Sequence, residues 1–156
     1  MAASPYGFLR GAANVCARDC ASLPATGMQA IVCGDAHLGN FLFARDNGPA
    51  VLLDWQFWHA TIGGTDLAFL LATETDSALR RNEERPLLER YYRQLLAAGV
   101  RGYPWQACWD DYRLSVILVS LFIPVWRWSL FQWEPDFCAL QRAMAAYIEL
   151  QCEELL

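Results

Sequence analysis

The chain has 156 residues, of which 55% are hydrophobic and only 19% charged, and its formal net charge at pH 7 is −5. This length and composition suit a single folded domain and exclude a disordered chain. All twelve basic residues are arginine. Mechanisms in which this chain supplies a lysine, such as a Schiff base or an ammonium that anchors phosphate, are therefore excluded. We expect neither nucleic acid nor a membrane as a partner, because an acidic, lysine-free chain attracts both poorly.

The cysteines predict buried, reduced thiols in a cytoplasmic protein. None of them forms a CxxC pair or lies near a histidine at zinc-finger spacing; they are Cys16, Cys20, Cys33, Cys108, Cys138 and Cys152. The first residues show no signal-peptide pattern. The most apolar run, Leu114 to Trp126, is shorter than the about 20 residues that span a bilayer, so we expect a buried helix there.

The first third of the chain predicts a helix followed by three short strands. Phe8 to Leu23 has helical spacing, and the apolar run Ala30 to Cys33 predicts a buried strand. Two further apolar runs, Phe41 to Phe43 and Val51 to Leu53, flank the pair Asn47-Gly48. Asn-Gly between apolar runs is a strong hairpin signal, so we expect these two runs to pair.

The remainder of the chain predicts helices. Their expected ranges are Asp66 to Thr73, Arg80 to Ala98, Pro104 to about Trp126, and a last helix from Glu134. Thr65 is a candidate N-cap, and Gly99 is the expected C-terminal stop. Pro86 predicts a break near residue 85.

Three polar side chains are expected to converge at the open end of the hairpin. Asn40 precedes its first strand, Asp54 follows its second, and Asp35 enters from the strand before. Phosphoryl transfer needs a carboxylate that accepts the proton of the attacking hydroxyl, and hard oxygen ligands for magnesium. The sequence therefore predicts Asp35 as the catalytic base, with Asn40 and Asp54 as the residues that bind the metal and, through it, the nucleotide.

Three segments in this order resemble a known family. Cys33 to Asn40 (CGDAHLGN) resembles the catalytic loop of aminoglycoside phosphotransferases and their choline kinase-like and ecdysteroid kinase-like relatives, which reads His-Gly-Asp, four residues, then Asn. Leu52 to Gln56 (LLDWQ) is similar to the magnesium-binding segment of that family, and Gly64 to Leu71 (GTDLAFLL) to its next helix. Later helical segments are similar too, so the resemblance covers nearly the whole chain.

The resemblance implies an α+β, mainly helical fold: a protein kinase-like C-terminal lobe with a small β-hairpin at its catalytic end, packed on a helical bundle. It implies Mg²⁺ and ATP as cofactor and co-substrate, and a small hydroxylated acceptor. It gives Asp66, together with Gly34, a structural role in supporting the catalytic loop. Near that loop, His37, Trp55 and His59 are candidate contacts for substrate or phosphate.

Two departures from the family pattern limit what carries over. Cys33 stands where the family has histidine, and only 34 residues precede Asp35, with no G-x-G-x-x-G and no lysine. We therefore expect one domain over residues 1–156 that corresponds to the C-terminal lobe alone, with the N-lobe absent. Its expected parts are a leading helix at about 1–28, the catalytic loop and metal-binding hairpin at 29–62, and a helical subdomain at 63–156.

Three functions stay open from the sequence. The first is a small-molecule kinase whose isolated chain is inactive without an N-lobe. The second is a non-catalytic, truncated remnant or pseudokinase-like lobe that acts as a binding module. The third is a metal-dependent phosphohydrolase that uses Asp35, His37 and Asp54. The expected partner is the missing lobe, or a second copy bound through the face that this lobe would cover.

Overall fold

A computed structural model describes residues 29–46, 48–131 and 134–156. Over these residues the fold is α+β and mainly helical, which confirms the predicted class. The helix predicted over Phe8 to Leu23 and the Asn47 position of the hairpin turn lie outside the described residues.

Within the described ranges, four short strands form two antiparallel pairs. They are β1 (Gln29–Val32), β2 (Phe41–Leu42), β3 (Val51–Leu52) and β4 (His59–Ile62). Strands β2 and β3 form the expected hairpin, with Phe41 opposite Leu52. Strand β1 pairs with β4, with Val32 opposite His59. The sequence did not predict β4, because its partner lies about 30 residues earlier and no turn signal links the two.

The helices follow in chain order, and two of them continue through a π-helical segment. They are α1 (Thr65–Phe69) with the π segment Leu70–Glu74, α2 (Ser77–Ala97), α3 (Trp105–Ser115) with the π segment Val116–Leu121, α4 (Phe122–Phe131) and α5 (Glu134–Glu149). Short 3-10 turns cover Leu38–Asn40 and Cys152–Leu155. The helices predicted after residue 63 are therefore present, but the helix that was expected to end near Trp126 continues to Phe131.

The predicted break in α2 is wrong. Pro86 lies inside the helix without ending it, although proline lacks the N–H that would bond the carbonyl four residues earlier. Glu84 and Leu88, on either side of Pro86, are both buried. Packing on both sides of the proline therefore holds the helix continuous. The helix ends as predicted, where Gly99 adopts a φ of +100°.

The helix starts also differ from the sequence prediction. Gly64, with a φ of +89°, precedes the first residue of α1, and the Thr65 hydroxyl donates to the Ile62 carbonyl at 2.7 Å. Thr65 therefore ties α1 to β4 rather than capping the helix. Pro104 is the residue before α3 and not its first residue.

The core is built from one face of each of several helices. Its buried members come from α1 and its π segment, α2, α3 and its π segment, α5 and the last 3-10 turn: Ala68, Leu71, Ala72, Leu88, Tyr112, Val116, Ala146 and Cys152. Because α1 is part of this core and begins directly after β4, the core fixes the position of the loop and strands that precede it.

A buried ion pair joins the helices beside this core. Arg80 Nη1 donates to Glu84 Oε1 at 2.9 Å, and the Tyr112 hydroxyl donates to the same oxygen at 2.6 Å. Arg80 Nη2 also bonds Glu149 at the end of α5. Arg80 is only 1% exposed, so the charges of this cluster have to satisfy each other.

The described cysteines differ in whether they are buried. Cys33, Cys108 and Cys152 are buried free thiols, whereas Cys138 is free but exposed, so the expectation of burial is wrong for that residue. Burial raises the pKa of Cys152 to about 11.

Across the three described ranges, no helix combines the length and apolar character that crossing a membrane requires.

Glu84→Ala is expected to lower the free energy of unfolding by about 3 kcal/mol, because it leaves the buried Arg80 guanidinium without one of its two carboxylates. Glu89→Ala is the matched control. It breaks an ion pair with Arg85 at the same spacing on the same helix, but both side chains there are exposed, so the loss should stay below about 1 kcal/mol. Urea unfolding measures both values. Equal losses would contradict a role for burial.

Candidate active site

The loop that follows β1 is held by a single carboxylate. Asp66, in the first turn of α1, accepts the backbone N–H of Cys33 at 2.7 Å on Oδ2 and that of Gly34 at 3.0 Å on Oδ1. Hydrogen bonds to a charged acceptor are among the stronger ones in proteins. The start of α1, which is fixed by the core, therefore sets the position of the loop backbone.

Gly34 is where this loop packs most closely against the β3–β4 connection. Its φ is +80°, and a Cβ added there would lie 2.6 Å from the carbonyl oxygen of Phe57 and 3.2 Å from the ring of His59. Only glycine fits this backbone conformation and this approach. The structure thus gives a physical reason for the Gly-Asp pair that the sequence singled out.

Asp35 and Asn40 contact each other across the loop. Nδ2 of Asn40 donates to the backbone oxygen of Asp35 at 2.8 Å and lies 3.4 Å from its carboxylate Oδ2. The backbone N–H of Asn40 donates to the carbonyl of His37, which closes the turn between them. With Nδ2 turned toward Asp35, no described residue bonds Oδ1 of Asn40, so this amide oxygen can accept a ligand.

Asp54 lies at the end of the hairpin, joined to the loop through the backbone. The N–H of Leu53 donates to the carbonyl of Asn40 at 2.8 Å, and the Cys33 thiol donates to the carbonyl of Asp54 at 3.4 Å. The φ of Asp54 is +54°, a left-handed conformation that costs a residue with a Cβ on the order of 1 kcal/mol. Its carboxylate is exposed, with Nε2 of Gln56 at 3.5 Å from Oδ2. Such strain is most often retained at functional positions.

The buried Cys33 thiol lies among the carboxylates of the site. Burial is the largest cause that raises its pKa, and the negative charges of Asp66, Asp35 and Asp54 raise the pKa further, while a backbone hydrogen bond from Asp35 lowers it. Cys33 is therefore a neutral thiol that links the loop to the Asp54 segment. The field of the surrounding carboxylates favours a cation.

The donor set suits magnesium carried by a phosphate ligand better than a metal held by protein alone. Among the residues that the structure describes, no three His, Cys, Asp or Glu side chains come together closely enough to hold a metal. Magnesium is usually bound through one or two carboxylates, with water and substrate phosphates completing its octahedron. The Asp54 carboxylate and the free Oδ1 of Asn40 fit that pattern.

The other candidate contacts differ in what they can offer. His37 Nδ1 accepts the Gly39 N–H at 3.1 Å, and its Nε2 lies 3.8 Å from Asp35 Oδ2, so both ring nitrogens serve the loop itself. Trp55 is 46% exposed and donates its ring N–H to the Leu52 carbonyl. His59 donates from Nδ1 to the Phe57 carbonyl at 2.8 Å, because a carbonyl can only accept. Its Nε2 bonds no described residue and is open to a ligand.

Two features of the site have no signal in the sequence. The carbonyl of Phe57 positions both Gly34 and His59, but a backbone oxygen leaves no trace in a sequence pattern. The second feature is the apolar wall of a pocket beside Gly34, which consists of Phe69, Leu118, Val119, Phe122 and Ile123. None of these is a residue type that marks a site in a sequence.

The class that these observations define is an α+β, mainly helical domain with a carboxylate-anchored loop and hairpin. In comparisons with known proteins, residues 1–56 match a family described as "Uncharacterized protein conserved in bacteria (DUF2252)". No curated protein and no solved structure matches the chain. The family match includes the loop from Cys33 to Asn40 and reaches Asp54.

This finding corrects the family assignment made from the motifs. The match is to DUF2252, and no kinase family matches, so the assignment to the aminoglycoside phosphotransferase, choline kinase-like and ecdysteroid kinase-like group is wrong. The physical reason is that the motifs are short. A few acidic and amide residues around a hairpin specify a local geometry, which unrelated chains can share.

Asp66→Ala is expected to release the loop, because the amides of Cys33 and Gly34 lose their acceptor. Hydrogen exchange at these two amides should become at least about tenfold faster, and the free energy of unfolding should fall by about 2 kcal/mol. Asp46→Ala is the control, since Asp46 also accepts a backbone N–H, from Gly48, but at an exposed position. Unchanged exchange at Cys33 and Gly34 in Asp66→Ala would show that the loop does not depend on this carboxylate.

Proposed function

We propose that this chain provides the acid–base and metal-binding half of a small-molecule kinase, in which the γ-phosphate of ATP is transferred to a hydroxyl. The observation that carries the proposal is the orientation of Asn40. Its Nδ2 bonds Asp35, so Oδ1 has no partner among the described residues, and the N–H of Leu53 bonds the Asn40 carbonyl, which joins the loop to the segment of Asp54. A proton acceptor and two metal ligands are thereby available at one end of the domain.

Asp35 is the proposed base for the acceptor hydroxyl. Its side chain is 25% exposed, so it is accessible, and its carboxylate lies near the amide of Asn40 and the ring of His37. As the hydroxyl oxygen forms a bond to the γ-phosphorus, its proton passes to Asp35. The bond from the γ-phosphorus to the bridging oxygen breaks, and ADP leaves with that oxygen.

Asn40 and Asp54 are the proposed magnesium ligands. The ion would supply charge neutralisation between the β- and γ-phosphates when it is bound. The strained backbone of Asp54 turns this residue at the end of the hairpin, and the Leu53–Asn40 backbone bond keeps the two ligands on adjacent segments. Both ligands are thereby positioned before the nucleotide arrives.

The proposed architecture is the C-terminal lobe of a protein kinase-like fold. A loop with Asp and Asn, a hairpin, a second Asp and a helix whose Asp holds the loop occur here in one chain and in that order. The 156 residues contain no lysine, so the phosphate-anchoring groups have to come from a further unit. We therefore propose that the isolated chain is inactive.

An apolar surface supports the proposal of such a unit. Between residues 31 and 58, nine large apolar side chains on the strands and their connections are 40–69% exposed: Ile31, Leu38, Leu42, Phe43, Val51, Leu53, Trp55, Phe57 and Trp58. A concentration of exposed apolar groups is typical of a contact surface. These side chains lie before and after Asp35 and Asp54 in the sequence, on the strands and connections that carry both residues. We therefore propose that this surface binds the nucleotide-binding unit.

A non-catalytic binding lobe is the second candidate function. The lack of lysine favours it, because a lobe that never binds nucleotide needs no phosphate anchor. The two functions differ in what they require of Asp54, since a binding lobe needs no metal ligand at this position. For either function we propose the cytoplasm as the compartment, which the free thiols of the four described cysteines support.

Metal–nucleotide binding tests the proposed site directly. Manganese–ATP should broaden the NMR signals of residues 35–40 and 54, and Asp54→Asn should weaken this binding about tenfold, because it removes a charged ligand. Asp46→Asn, at an exposed position on the same hairpin, should change the affinity less than twofold. Equal binding in both variants, or broadening elsewhere only, would overturn the proposed site and favour the non-catalytic lobe. Turnover by the isolated chain that Asp35→Asn abolishes would contradict the need for a further unit.

The apolar surface should make the isolated chain self-associate. Sedimentation velocity is expected to show oligomers that increase with concentration, and Ile31→Ser should reduce them, because Ile31 is 69% exposed on β1. Ile148→Ser is the matched control, since Ile148 is 63% exposed on α5, away from the strands. A monomer at all concentrations would count against this surface as a contact site.

A further inference from the structure

A pocket of about 200 Å³ lies beside the loop, between α1 and the π segment that leads into α4. Its apolar wall consists of Phe69, Leu118, Val119, Phe122 and Ile123. Its other wall is formed by Gly34, His59, Thr65 and Asp66. The pocket is therefore apolar on the side of the helices and reaches the loop backbone on the other side.

The polar side chains of the pocket differ in whether they already have a hydrogen-bond partner. Both oxygens of Asp66 accept loop amides, and the Thr65 hydroxyl bonds the Ile62 carbonyl and the Ser115 hydroxyl. Within the described part of the chain, the ring nitrogen Nε2 of His59 bonds nothing. Because Nδ1 carries the hydrogen, Nε2 of the neutral ring is an acceptor.

The size of the pocket limits what can occupy it. Apolar cavities of about 150 Å³ hold a benzene molecule, so the space here suits one ring-sized hydrocarbon group. A sugar or a polyamine has donors and acceptors all round, and the apolar wall would leave most of them without a partner. Burying a polar group without a hydrogen-bond partner weakens binding. The pocket therefore selects against strongly polar molecules.

The position of the pocket links it to the proposed base. Gly34 forms part of its wall, and Asp35 is the next residue in the loop. The bond from the Gly34 N–H to Asp66 holds this part of the wall in place. The wall of the pocket therefore lies one residue from the proposed base along the loop.

We propose that the acceptor is an alcohol with a ring-sized apolar body, which binds in this pocket with its hydroxyl donating to Nε2 of His59 when nucleotide is absent and to Asp35 during phosphate transfer. This inference deepens the proposed function and rests on it for the role of the alcohol as phosphate acceptor. The π segment Val116–Leu121, which supplies Leu118 and Val119, supports it independently, because π-helical turns are frequent at functional sites.

The test is binding of benzyl alcohol to the full chain, followed by NMR without magnesium or nucleotide. We expect shifts at the pocket residues, with no comparable shifts for glucose. Ile123→Trp, which fills the pocket, should weaken binding about tenfold. Leu79→Trp, at an exposed position on α2, should leave it unchanged. Shifts away from the pocket, binding no better than glucose, or equal binding to Ile123→Trp would overturn the assignment.

A second variant keeps the test decisive if Ile123→Trp does not fold. His59→Phe changes an exposed side chain, and it should reduce the affinity for benzyl alcohol about threefold relative to that for toluene, which has no hydroxyl to donate. An unchanged ratio of the affinities for benzyl alcohol and toluene would contradict a hydrogen bond between the alcohol and His59. Because these measurements need no nucleotide, the two proposals fail separately. Benzyl alcohol binding without manganese–ATP binding at Asp54 would overturn the proposed metal site and leave the pocket as a ligand site.

Discussion

The rest of the site depends on the hydrogen bonds that the Asp66 carboxylate accepts from the loop backbone. This carboxylate accepts two consecutive backbone amides, of Cys33 and Gly34, from its place in the first turn of α1. The helix is fixed by the apolar core, so a single ionised side chain transmits the position of the core to an exposed loop. Asp35 and Asn40 then take their places through bonds within that loop. A rigid core thereby supports a site that is open to solvent.

The sequence predicted local features well and long-range ones poorly. The hairpin around residues 41–52 was predictable because Asn-Gly between apolar runs acts over a few residues. Strand β4 was not, because its pairing with β1 depends on a contact across about 30 residues. The continuity of α2 through Pro86 was missed for the same reason. Glu84 and Leu88 are buried against other helices, and this packing outweighs the local tendency of proline to break a helix.

The candidate site shows the same division. The placement of Asp35, Asn40 and Asp54 near one another could be predicted because each lies at the end of a short strand. The pairing of Asn40 with Asp35 followed from the loop, whereas the left-handed backbone of Asp54 and the contact of Gly34 with Phe57 required coordinates. The family assignment failed because it transferred a whole lineage from motifs that specify only a local arrangement. A local arrangement of residue types can be inferred from such short segments, but membership of a family cannot.

The π segments have a consequence for how this domain tolerates changes in length. A π turn contains one residue more than the α-helical turn it replaces, so every side chain after it is rotated by about 100° relative to an uninterrupted helix. Phe122 and Ile123 face the pocket only because Val116–Leu121 precedes them in this form. Deleting one residue from that segment would restore a regular helix and turn both side chains away. The cavity is thus encoded in the residue count of the helix as much as in its residue types.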